Sequence, residues 1–188
     1  MHDLTAITAL GASEPQIDRV AEMTLTEVPL LALASIAARL GQEKDCVAKL
    51  EKLLGGPVPK PDKAYLGDPF SAIWTGPDQW MIGANFETYE TLADTVKTAV
   101  GKSGSVTEQT DAWACFDLMG PGIQAVMELL CNVNVRRMKT GDAQRTVLHH
   151  LGCFVICGDP NEFVRILGPR ASAGSLHHAL VTAMHAAA

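Results

Sequence analysis

A chain of 188 residues with 47% hydrophobic content can bury the core of one ordinary domain or of two small halves, which excludes a disordered chain. The formal net charge of −6, with no basic cluster beyond Arg136, Arg137 and Lys139, excludes a nucleic-acid or anionic-membrane binder. Five cysteines, odd in number and set mostly in apolar runs, fit reduced structural thiols better than a disulfide framework.

The opening Met1-His-Asp-Leu has no basic region ahead of an apolar one. Residues 28–40 are too short for a bilayer span and contain Arg39, so a cytoplasmic chain with no membrane segment is expected. Residues 1–27 show no sustained period, which predicts an irregular arm, either frayed or lying on a partner. Residues 29–37 read as a buried strand, although their Leu and Ala content leaves helix open. Residues 42–54 read as a helix with Val47, Leu50 and Leu54 inward and Gly55 as its C-cap. The Gly-Gly-Pro-Val-Pro-Lys-Pro run from Gly55 suits neither helix nor central strand, so residues 55–69 form one long connection.

Two short strands, 71–74 and 79–83, flank a Gly-Pro-Asp hairpin turn, and Trp74 and Trp80 then face one side as a cross-strand pair. That pair is either a core layer or a docking patch. A helix follows, with Asn85 as its cap, Glu87 and Glu90 at its positive end, Tyr89, Leu92, Ala93, Val96 and Val100 inward, and Gly101 closing it. Residues 105–109 read as a further strand.

The stretch 111–131 joins strand, turn and helix. Trp113, Cys115 and Asp117 alternate with Ala114, Phe116 and Leu118 at the two-residue period of a strand. Gly120-Pro-Gly122 ends that strand, Pro121 suits the first helical position, and Ile123, Val126, Met127 and Leu130 recur at helical spacing. Neither G-x-G-x-x-G nor G-x-x-x-x-G-K-[ST] is present, so the glycines mark a tight turn rather than a phosphate loop. Residues 132–143 are polar and basic. Residues 144–157 form a long apolar and β-branched run broken by Gly152, and 158–161 turn into a return strand at 163–167. A last helix starts near Ala171 with Leu176, Leu180, Ala183 and Met184 on one face.

The order strand, helix, strand, strand, helix, strand is followed by strand, helix, strand, strand, helix. That repetition predicts an α+β fold of two ferredoxin-like halves, about 28–110 and 111–188, with helices on one face of antiparallel sheets.

The ordered pieces Trp74-Thr-Gly-Pro-Asp-Gln-Trp-Met-Ile82, Thr110-Asp-Ala-Trp113, Leu118-Met-Gly-Pro121, Leu129-Leu-Cys131, Arg145-Thr146 and Gly168-Pro-Arg170 resemble the gamma subunits of heterotetrameric sarcosine oxidases. The resemblance implies a single folate-binding-type domain over 28–188, of the kind found in the aminomethyltransferase of the glycine cleavage system. It also implies a non-catalytic subunit of a flavoenzyme that oxidises sarcosine to glycine, formaldehyde and hydrogen peroxide, or to methylenetetrahydrofolate with folate. This chain would carry no cofactor. FAD, FMN, NAD and zinc would be held by partner subunits, and the chain would pack on the alpha subunit in company with beta and delta. The alternative is a free-standing folate- or pterin-binding module.

Candidate structural or subunit-contact residues are Trp74, Trp80, Asp111, Trp113, Gly120, Pro121, Thr146 and Arg170. Arg170 precedes a helix start, where the dipole disfavours a cation, so a bidentate pair with Asp111 that ties the halves together is expected. A subunit contact or a ligand carboxylate are the other partners considered for it. Asp117 reads as part of a solvated face. His149, Cys153 and Cys157 share strand parity, but four residues along a strand span about 13 Å, too far for one metal ion. Cys115 or Cys131 beside a His would be the nucleophile of a small enzyme, yet neither has an activating cation nearby in sequence, and Cys131 ends a helix, where the dipole disfavours a thiolate.

Overall fold

The structure, a computed structural model, describes residues 5–188. Strands β1 (Ile17–Val20) and β2 (Met23–Glu27) precede β3 (Leu31–Ala38), helix α1 (Glu43–Leu54), β4 (Ala64–Tyr65), β5 (Ser71–Gly76), β6 (Gln79–Asn85), helix α2 (Leu92–Val100) and β7 (Gly104–Glu108). Then follow β8 (Trp113–Met119), helix α3 (Ile123–Leu130), β9 (Ala143–Leu148), β10 (Leu151–Asp159), β11 (Phe163–Pro169) and helix α4 (Ala173–Ala187). The chain divides into two compact units. An inserted unit comprises Leu30–Thr110 with Gly141–Ala143, and a terminal unit comprises the residues up to Pro29 with Asp111–Thr140 and Gln144–Ala188.

In the inserted unit the sheet order is β4-β5-β6-β3-β7, and the strand pairs are antiparallel. Counting β3, β5, β6 and β7 as first to fourth, the order is second, third, first, fourth, the signature of a ferredoxin-like half. Apolar residues at i, i+4 and i+8 explain α1: Cys46, Leu50 and Leu54 form one buried stripe. They pack with Leu92, Val96 and Val100 of α2 against Ala32, Ala34 and Ile36 of β3 and Trp80 and Ile82 of β6. Gly55 ends α1 in the left-handed region, at φ 68°, where a residue with no Cβ is unstrained.

Helix α2 starts later than the sequence suggests. Asn85 ends β6 and caps nothing helical: its Oδ1 accepts the Thr88 N–H at 3.2 Å, closing a turn, and Thr91 holds the N-cap position. Glu87, Tyr89 and Glu90 therefore lie ahead of the helix, and Tyr89 packs on Phe70 with ring centroids 4.8 Å apart.

The terminal unit has the sheet order β1-β2-β8-β11-β10-β9. Here β8, β10 and β11 act as first, second and third strands, and the fourth place beside β8 is filled from the N-terminus by β2. The predicted irregular arm over 1–27 is thus corrected for 17–27, while residues 1–4 lie outside the described residues. Met23, Leu25 and Glu27 are buried and alternate with half-buried Thr24 and Thr26, which is strand periodicity in only five residues. Leu25 pairs with Leu118 and Glu27 with Phe116 on the face that α3 and α4 cover with Ile123, Val126, Met127, Leu176, Leu180 and Met184. The inward side chain of Glu27, only 3% exposed, accepts the N–H groups of Leu10 and Gln16 at 3.0 and 3.2 Å, fixing the segment that leads into β1. Asp18 of β1 meets His177 of α4 at 2.6 Å.

The long apolar run over 144–157 is interrupted at His149 and His150, which replaces the break expected at Gly152. Both histidines have positive φ, 42° and 73°, and the chain reverses there from β9 into β10. The Gly-Pro-Gly turn is shaped by close approach. A Cβ on Gly120 would sit 2.3 Å from the Glu22 carbonyl oxygen, and φ there is +106°. Helix α3 begins at Ile123 with Gly122 as its N-cap, so Pro121 lies before the helix rather than at its first position.

Gly120→Ala is expected to destabilise the chain by about 3 kcal/mol in chemical denaturation, because strain and a backbone clash coincide. Gly11→Ala, also at positive φ but with nothing within 4 Å of the added Cβ, is expected to cost about 1 kcal/mol.

Candidate interaction surface

In the inserted unit Trp74 and Trp80 stand directly opposite each other on β5 and β6, on the face that carries α1 and α2. Trp80 is buried and its Nε1–H donates to the Pro59 carbonyl at 3.0 Å, which anchors the long connection over the core. Trp74 is half-buried beside it.

The charged pairing of the terminal unit differs from expectation. Arg170 Nη1 lies 3.8 Å from Asp111 Oδ1, and the Asp111 side chain is 86% exposed, so this is a loose surface contact rather than a bidentate pair. Both residues also belong to the terminal unit, so the contact joins no two halves. The bidentate pair is Arg165 with Asp117, with Nε and Nη2 donating to Oδ1 and Oδ2 at 2.7 Å each. Asp117 faces Arg165 across the β8–β11 register, and its side chain is 15% exposed, so the solvated-face reading of Asp117 is corrected. The Asp117 hydrogen bonds raise the Arg165 pKa above its already high ordinary value, against the opposing effect of burial. Parity explains the miss: only the strand pairing brings Arg165 opposite Asp117, across 48 residues of sequence.

Cys115 is buried on the same face of β8 as Trp113 and Asp117, and desolvation pushes its thiol up to about 12. Burial likewise raises Cys153 to about 11 and raises Cys46 and Cys131. A nucleophile needs the opposite shift. Cys153 and Cys157 point into the helix-covered core while His149 sits in the turn, and among the described residues no three His, Cys, Asp or Glu side chains are grouped to hold a metal ion.

Thr146 leads to the one site feature that sequence reasoning only touched. A groove of about 650 Å³ runs along the outer side of β9 where α3 ends, lined by Leu129, Cys131, Asn132, Arg145, Thr146, Val147, His149 and His150 among others. Thr146 Oγ1–H donates to Asn132 Oδ1 at 3.1 Å, and the His149 N–H reaches the Leu130 carbonyl at 3.4 Å, so the helix end and the hairpin are tied together. The Arg145 guanidinium lies 5.7 Å from the ring centre of Phe154, which meets Trp113 in a tilted contact with ring centroids 5.3 Å apart. Trp113 Nε1 is buried without a hydrogen-bond partner. Leu129 and Val147 are 59% and 58% exposed. The signal for the turn was present: fourteen residues are too many for one ordinary strand, and His149-His150 is the adjacent polar pair that interrupts the apolar residues from Val147 to Cys157.

Asp117→Asn, which strips Arg165 of its counter-charge, is expected to cost about 3 kcal/mol. Asp111→Asn is expected to fall within about 0.5 kcal/mol of the parent, and urea denaturation of the two variants checks the contrast.

No protein-family model matches this sequence, and no curated protein does. Among the described residues no helix is long and apolar enough to cross a membrane. Solved structures do match. One is a chain of the heterotetrameric sarcosine oxidase from Corynebacterium sp. U-96, solved with pyrrole 2-carboxylate. It has 24% identity and a TM-score of 0.72, and the match covers 88% of this chain and 86% of that one. Another is the glycine cleavage system aminomethyltransferase T from Bartonella henselae, with 14% identity and a TM-score of 0.61, covering 86% of this chain but 46% of that one. This chain therefore shares, over most of its length, the fold of a chain of heterotetrameric sarcosine oxidase and of about half of an aminomethyltransferase.

Proposed function

We propose that this chain is a non-catalytic, structural and assembly subunit, of the gamma type, in a heterotetrameric sarcosine oxidase-like flavoenzyme of the cytoplasm. The observation that carries the reading is the extent of the match to the sarcosine oxidase chain. It covers 88% of this chain and 86% of the other. The buried, high-pKa thiols described above supply no activated nucleophile of the chain's own. Under this reading the alpha subunit is the direct neighbour, in company with beta and delta, and FAD, FMN, NAD and zinc belong to those partners. Half-buried Trp74 in the inserted unit, and half-buried Trp113 and the Thr146 groove in the terminal unit, are the contact candidates through which the chain would contribute, whereas Trp80 and Gly120 act by holding the fold.

Co-expression with flavoprotein subunits encoded nearby, followed by size-exclusion chromatography and a sarcosine oxidation assay, tests it. Co-elution is expected, with activity or flavin retention lost when this chain is omitted. A chain that elutes alone and binds a folate or pterin would instead establish the free-standing binding module, which the aminomethyltransferase likeness makes the natural second outcome.

A further inference from the structure

The groove beside β9 differs in charge from the rest of the molecule. The whole chain carries −6, yet the terminal-unit segments 132–140 and 144–158 contain Arg136, Arg137, Lys139 and Arg145, with His149 and His150, and no Asp or Glu. Arg136 is already neutralised by Glu128, whose carboxylate it holds below the usual range. Arg145 is different: it is held over the Phe154 ring and lines the groove. None of the groove-lining residues is acidic.

The shape selects among anionic occupants. β9 is the last strand of its sheet, so among the described residues no further strand pairs with its outer edge beyond the bridge at Asp142, and Arg145, Thr146 and Val147 succeed one another along it. Exposed Leu129 and Val147 flank Arg145, and a small carboxylate would leave both in water. An extended chain covers the edge with its backbone and the walls with alternating side chains. The turn at its mouth is costly: two histidines with positive φ occupy positions where Asn-Gly would be relaxed. Strain of this kind is retained where the side chains have a use.

We propose that this groove receives an extended, acidic segment of a partner protein, its carboxylates meeting Arg145, His149 and His150 and its apolar side chains covering Leu129 and Val147. The inference rests on the subunit reading for the existence of a partner, but the chemistry of the groove is testable without one.

A short fluorescent peptide alternating glutamate and leucine, and its lysine counterpart, are titrated by anisotropy against the full chain. The acidic peptide binds and the basic one does not. Arg145→Glu weakens binding by about tenfold or more, while Lys44→Glu, the same charge change on exposed α1, leaves it intact. The double variant His149→Asn with His150→Gly raises the melting temperature by relaxing the turn and weakens binding. Equal binding by all variants, or binding of free glutamate or inorganic phosphate as tight as that of the peptide, overturns the proposal. In the co-expressed complex, assembly of the parent chain with no effect of Arg145→Glu sinks the groove and spares the subunit reading. No assembly, with peptide binding still dependent on Arg145, does the reverse.

Discussion

The pairing of β2 with β8 is the constraint on which the terminal unit depends. A ferredoxin-like half needs a fourth strand beside its first, and in this unit that place is filled from ahead of the first strand. Thr24 to Glu27 fill that place in antiparallel register with Met119 to Phe116. One face of β8 thereby gains Leu25 beside Phe116 and Leu118, both fully buried, and burial of each such side chain contributes roughly 1.5–3 kcal/mol. Glu27 then spends its buried carboxylate on two backbone N–H groups, so the chain entering β1 is held by the same strand. The closure is non-local, since β2 and β8 lie about ninety residues apart with Leu30–Thr110 of the inserted unit between them.

From this arrangement follow the places where chemistry-bearing residues sit. β8 has a helix-covered face of Ala114, Phe116 and Leu118 and an opposite face of Trp113, Cys115 and Asp117, and the β11 register puts Arg165 against Asp117. That pair satisfies two charges that would otherwise be costly on a partly buried sheet face. At the far edge of the same sheet, β9 and the end of α3 leave a groove lined by Arg145 and by no acidic side chain, in an acidic molecule. The unit thus satisfies its charges internally near the centre of the sheet and presents Arg145 at the edge.

Much of the fold was legible in the sequence because the signals were local. The α1 stripe, the Gly55 cap, the Trp74–Trp80 hairpin and the strand-turn-helix of 113–130 each rest on periodicity or turn chemistry within a dozen residues. The repeat of supersecondary units even showed one strand missing from its second copy. What supplied it was hidden, since β2 is short and its inward positions include a glutamate, which breaks the apolar alternation. The His149-His150 turn was overlooked because neither residue is a usual choice at positive φ. Arg170 with Asp111 was expected and Arg165 with Asp117 was not foreseen, for a related reason: helix-end electrostatics can be read along the chain, whereas cross-strand register cannot.

Native-state hydrogen exchange of the N-terminal residues tests this account most directly. Because β2 lies between β1 and β8, its amides are predicted to exchange only through global opening of the terminal unit, as slowly as those of β8. Fast exchange over Met23–Glu27, at the rate of a frayed arm while β8 stays protected, would contradict it.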